Sequence, residues 1–129
     1  MLKTLLAPHS QRAFALLRIM TGLMFAFHGS QKVLGLLGKA PPPIGSQLWV
    51  GGVIELVTGV AIALGFRTRC AAFLASGTMA VAYTQFHWKF ALGKQLFPAI
   101  NHGELALVYC LVFFFIACHG SGPWSVTRS

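Results

Sequence analysis

Only two carboxylate side chains occur in this chain of 129 residues, Glu55 and Glu104. Both sit in its most apolar stretches, "WVGGVIELVTGVAIALGFRTR" and "NHGELALVYCLVFFFIACHG". A carboxylate in apolar surroundings must be neutralised, paired with a base, or wetted. Bases are at hand, because the chain has five histidines and ten lysines or arginines. His28, Lys32, His87 and His102 fall near the ends of apolar runs, and Asn101 stands beside His102. Gathered in one pocket, such groups could hydrogen-bond a ligand and move protons. His28, His87, His102, Glu55 and Glu104 could also ligate a divalent ion, but their spacings match no local ligand motif, so no metal site is assigned.

The elements that must position these groups are membrane helices. Hydrophobic residues make up 56% of the chain and charged residues 9%, whereas a soluble domain carries about 25% charged residues. A chain this short has too little interior to hide so much apolar surface from water. Four apolar segments approach the roughly 20 residues that a bilayer requires: 14–34, 48–66, 70–90 and 101–119. Pro41, Pro42 and Pro43 break the first connection. The expected fold class is all-α, a single domain over 1–129 built as a four-helix transmembrane bundle. All five arginines and Lys3 fall on the side shared by the two termini and the second loop, against Lys32, Lys39, Lys89 and Lys94 on the other. That bias places both termini in the cytoplasm. The N-terminal apolar run is too long for a signal peptide and contains Arg18, so it reads as a short lead and a retained helix.

The net charge of +8 arises from the scarcity of acids. It reads as topology and lipid-headgroup contact, and no basic stripe with interleaved aromatics points to nucleic acid. Cys70, Cys110 and Cys118 form no CxxC, and Cys110 and Cys118 lie about 12 Å apart along one helix, too far to bridge. Small residues recur at Gly22, Ala26 and Ser30, at Gly51 and Gly59 around Glu55, and at Ala71 and Ala75. Such positions let helix backbones approach closely in lipid.

Helical rise converts these positions into depth. Arg18 lies only about 6 Å into its span and should snorkel to the inner surface. His28, Lys32 and Glu55 lie about 21, 27 and 20 Å from the inner edge. His87 ends the third span, while Asn101, His102 and Glu104 open the fourth. His28, Lys32, Glu55, His87, Asn101, His102 and Glu104 are therefore the expected lining of a polar pocket that opens outward. Glu55, in mid-helix, is expected inside the bundle within reach of His28 or Lys32. Asn101 and Glu104 also read as a capping-box-like helix start. "FHGSQK" and "FHWK", then "GVIEL" and "HGEL", hint at two parallel repeats. The tail "GSGPWSVTRS" is polar and is expected at the surface.

The stretches "LLRIMTGLMFAFHGSQKVLG", "WVGGVIELVTGVAIALGFRTR" and "NHGELALVYCLVFFFIACHGSGPWSV" together resemble the DoxX family of small bacterial inner-membrane proteins. The resemblance spans residues 14–126 and rests on a combination: Arg18, Gly22, His28-Gly29, Lys32, Glu55, Gly59, Gly65, Arg67, Asn101-x-Gly103-Glu104 and Gly120-x-Gly122. It implies a multi-pass four-helix protein of the bacterial inner membrane, linked to redox processes. Family members include a subunit of a thiosulfate:quinone oxidoreductase and a membrane partner in an oxidative-stress complex. The chain has no nucleotide-binding glycine loop, flavin fingerprint or c-type haem motif. No covalent cofactor is expected, and redox chemistry would use a diffusible quinone or a partner's cofactor. Three roles follow: a quinone-associated redox component, a non-catalytic accessory subunit beside respiratory-type membrane subunits, or a transporter of a small molecule or metal. Whether the protein is an enzyme is left open.

Overall fold

Helices account for all the regular structure among the described residues, which are 1–38 and 40–128 of the computed structural model. Lys39, counted above among the outer bases, lies outside them. Helix α1 (Leu2–Leu6) runs through a 3-10 turn into α2 (Ser10–Leu34). Ser46 caps α3 (Gln47–Leu64), its hydroxyl accepting from the Trp49 backbone N–H at 3.3 Å. Gly65 ends α3 in the left-handed conformation. Helix α4 (Thr68–Ala82) continues into a π-helical turn, Tyr83–Trp88. After a short α5 (Pro98–Asn101) comes α6 (Glu104–His119). Two runs, Leu2–Leu34 and Gln47–Leu64, are long and apolar enough to cross a membrane, and α6 is apolar but shorter.

The last element departs from the sequence reading. His102 adopts φ 61°, a left-handed conformation that ends α5 and forces a new start. Gly103, not Asn101, therefore stands at the N-cap of α6. Asn101 serves the same junction differently. Its Oδ1 accepts from the Gly103 N–H at 2.9 Å, and its Nδ2 donates to the Gln95 carbonyl and the Tyr83 hydroxyl. It pins the turn between the π segment and α6.

The four long helices alternate in direction. Gly22 of α2 faces Gly59 and Ala63 of α3, while Gly29 faces Gly52 and Leu56, so the two run antiparallel. Arg69, Ser76 and Tyr83 meet Ala117, Cys110 and Asn101 in turn, so α4 and α6 are antiparallel too. Phe14 packs on Phe115 and Phe25 on Tyr109, which brings α6 against α2. Both termini thus lie at one end. The interior mixes Phe25, Ile62, Phe113 and Ile116 with buried Arg18, Glu55, Thr58 and Ser76. Large apolar residues such as Leu23, Phe27, Val57, Phe73, Leu111 and Phe114 face outward instead. That distribution suits lipid, where close backbone approach rather than burial of leucine holds helices together.

The α2–α3 contact is close enough to admit no side chain. A Cβ on Gly29 would lie 2.5 Å from the Gly52 carbonyl oxygen and 2.9 Å from Leu56 Cα. Gly29→Ala is expected to destabilise by about 1–3 kcal/mol, the range for overpacking, read as a fall in the thermal midpoint in detergent. An unchanged midpoint would show that the two helices can part. Gly51, read as a packing glycine from its spacing, has nothing within 4 Å of where its Cβ would stand, and the packing glycines beside Glu55 are Gly52 and Gly59.

Arg18 also corrects the sequence reading. Arg18 does not snorkel, because it is fully buried. Its Nε donates to the Ile62 carbonyl at 3.1 Å, Nη1 to the carbonyls of Ser121 and Pro123, and Nη2 to that of Trp124 at 2.6 Å. The tail lies at the surface with Trp124 and Val126 exposed, and it folds back over the ends of α2 and α3, Val126 and Thr127 donating to the Leu64 and Gly65 carbonyls.

Candidate functional site

Glu55 owes its place to the glycines around it. Gly52 and Gly59 let α2 press against α3, and the Lys32 stem lies over Gly52. The Lys32 Nζ then donates to Glu55 Oε1 at 2.6 Å, the one salt bridge among the described residues. The two partners are unequal: the Glu55 side chain is 3% exposed and that of Lys32 30%. The second carboxylate oxygen, Oε2, is buried with no hydrogen-bond partner among the described residues. An unsatisfied buried acceptor is costly and rare in folded proteins.

Two cavities meet at this carboxylate. One, about 230 Å³, lies inside the end of the helix cluster away from the two termini and is lined by Phe25, His28, Lys32, Glu55, Met79, His87, His102 and Tyr109. The other is a groove of about 720 Å³ between α3 and α4 that shares Lys32, Glu55 and His87 with the first. His87 reaches both because it sits in the π-helical turn. Such a turn inserts an extra residue into the helical repeat and so re-aims the side chains that follow, often at functional sites.

Of the seven residues expected to line the pocket, His28, Lys32, Glu55, His87 and His102 come together at the smaller cavity. Asn101 is buried in the turn described above and does not line it. Glu104 is exposed in the first turn of α6, has no ion pair among the described residues, and does not line it either. Its position suits the positive end of the helix dipole. The two acids therefore play separate parts. Tyr109 is the residue the sequence reading passed over. It stacks on Phe113 and meets His28 edge-on at 6.3 Å between ring centroids. No local signal marked it, because it stands inside the apolar run "LVYCLVFFF". No three His, Cys, Asp or Glu side chains among the described residues come close enough to share a metal ion.

The sequence profile of the DoxX family matches residues 13–88, from α2 through the π-helical turn. The chain belongs to the DoxX family. A relative in Haemophilus influenzae, an uncharacterised protein, is 41% identical over 115 residues, covering 84% of this chain and 83% of the relative. No solved structure matches. The DoxX match includes His28, Lys32, Glu55 and His87 and stops short of His102 and Tyr109 on the far wall. Membership agrees with the outward-facing apolar side chains in making this a small membrane protein.

Proposed function

We propose that this DoxX protein is a multi-pass component of the bacterial inner membrane that holds the head-group of a lipid-soluble quinone at Glu55. In this reading α2, α3, α4 with its π-helical turn, and α6 each cross the bilayer, with both termini cytoplasmic and the cavity in the outer half. The observation that carries the reading is the buried carboxylate of Glu55, whose Oε2 has no hydrogen-bond partner among the described residues, on a residue that lines a cavity with Lys32, three histidines and Tyr109. A quinol hydroxyl would donate to Oε2, while a carbonyl oxygen of the oxidised ring would accept from Lys32 or an imidazole. Phe25 and Tyr109 supply flat apolar walls for a ring. Histidine and carboxylate together would take up and release the protons that accompany quinone redox change. Electrons would be exchanged with a partner membrane subunit of respiratory type, whose docking on the lipid-facing helices joins this reading to that of an accessory subunit.

The test is extraction. Protein purified in mild detergent should carry quinone, and Glu55→Gln, which keeps one acceptor but loses the charge, should weaken binding of an added quinol about tenfold. That is the loss of one charge-assisted hydrogen bond of roughly 1.4 kcal/mol. A wild-type protein that neither carries nor binds quinone or quinol overturns the proposal.

A further inference from the structure

Gly51 and Gly77 face each other's helices without any packing reason to be glycine. At Gly22, Gly29, Gly52 and Gly59 a Cβ would strike neighbouring atoms, but at Gly51 and Gly77 it would meet nothing within 4 Å. A glycine inside a helix costs about 1 kcal/mol against alanine, and here no helix–helix contact offsets that. Both line the 720 Å³ groove, one on its α3 wall and one on its α4 wall. What they keep open is a channel. Its remaining walls are mainly apolar side chains such as Ile54, Phe73 and Leu74, and Gly77, Phe73 and Leu74 are exposed on the outer surface of the helices, which is the lipid side. Along α4 and its π-helical turn it runs from His87 to Phe73, about 20 Å.

The channel does not end blindly. At its polar end stand Lys32, Glu55 and His87, which also wall the smaller cavity. Near the same end Gln47 Nε2 donates to Gln85 Oε1 at 2.6 Å, tying the start of α3 to the π-helical turn. With the two walls joined there, the opening faces sideways. Glu55, whose buried Oε2 has no partner among the described residues, thus stands where an apolar lateral channel meets a polar pocket. That combination fits one class of occupant: a molecule with a single long apolar tail and a compact head that donates a hydrogen bond.

We infer that the ligand enters sideways from the bilayer between α3 and α4 and leaves its tail in the groove over Gly51 and Gly77, with its head at Glu55. This inference rests on the quinone reading above and adds to it the route and the tail site. Because added side chains at these two positions meet open space, a Gly51→Leu/Gly77→Leu double variant should fold, with a thermal midpoint within a few degrees of wild type. In nanodiscs of neutral lipid, two quinols with the same ring would be titrated, one with a long isoprenoid tail and one with none. The double variant should bind the long-tailed quinol at least tenfold more weakly than wild type and the tail-less one equally well. Equal affinity of both proteins for the long-tailed quinol overturns the lateral site while the quinone reading stands. Equal weakening of both quinols overturns it too, placing the glycines at the head rather than the tail. A wild type that binds neither quinol overturns this inference together with the reading it rests on.

Discussion

Lys32→Met is expected to destabilise the protein more than Glu55→Gln, although the two residues form one ion pair. The asymmetry follows from burial: the Glu55 side chain is 3% exposed and that of Lys32 30%. Removing the acid leaves a lysine whose flexible stem can carry its ammonium outward to water. Removing the lysine leaves a carboxylate with one oxygen newly bare and the other already without a partner. Breaking a buried pair from the side that strands the deeper charge costs about 3–5 kcal/mol. Replacing the acid by its amide, which keeps an acceptor for Lys32, should cost about 1–2 kcal/mol, close to the worth of a hydrogen bond to a charged group. The Lys32→Met/Glu55→Gln double variant should recover most of the larger loss, since no charge is then stranded. Chemical or thermal unfolding of the four proteins in one detergent gives the cycle. Equal losses for the two single variants would mean that water reaches Glu55 freely, and the orphaned oxygen would lose its significance.

Much of this site could be read from residue type and spacing, and the exceptions are instructive. A carboxylate in mid-helix with glycines at its shoulders had few places to go, so depth left His28 or Lys32 as its partner, and the ion pair is made by Lys32, the longer side chain. The repeat that equated His28 with His87 matched their common cavity. The same repeat equated Glu55 with Glu104, and there it failed, because His102 turns left-handed and sends the next helix off with Glu104 on its exposed first turn. Sequence spacing carries no record of such a break. Nor does it distinguish Gly51 from Gly52, which differ by about 100° around the helix, one open and one pressed by Lys32. Tyr109 was hidden for a different reason: amid "LVYCLVFFF" it looks like one more apolar aromatic. Only the packing of α6 against α2 turns it toward His28.

Arg18 misled most, because a cation near a helix end reads as a snorkelling one, and no acid stood nearby to suggest otherwise. Its charge is met by carbonyl oxygens instead: those of Ile62, Ser121, Pro123 and Trp124. Three of these belong to the tail, so one side chain of α2 holds down the last segment of the chain across the end of α3. The planar guanidinium suits this clasp, since it presents five donors in a fixed fork, and lysine has a single centre of three. Arg18→Lys is therefore expected to fail as a substitute, and both it and Arg18→Met should lower stability by about 3 kcal/mol or more, given about 1.5–3 kcal/mol for each hydrogen bond from a charged donor. Global stability alone would not separate loss of packing from release of the tail. Carboxypeptidase digestion does, because the tail is protected only while it is clasped. Wild type should resist trimming beyond its last few residues, while both variants should lose residues back toward Gly120 at a temperature where each remains folded. If Arg18→Met leaves the tail protected, the hydrogen bonds of Val126 and Thr127 to the end of α3 hold it unaided, and the arginine serves only the helix ends.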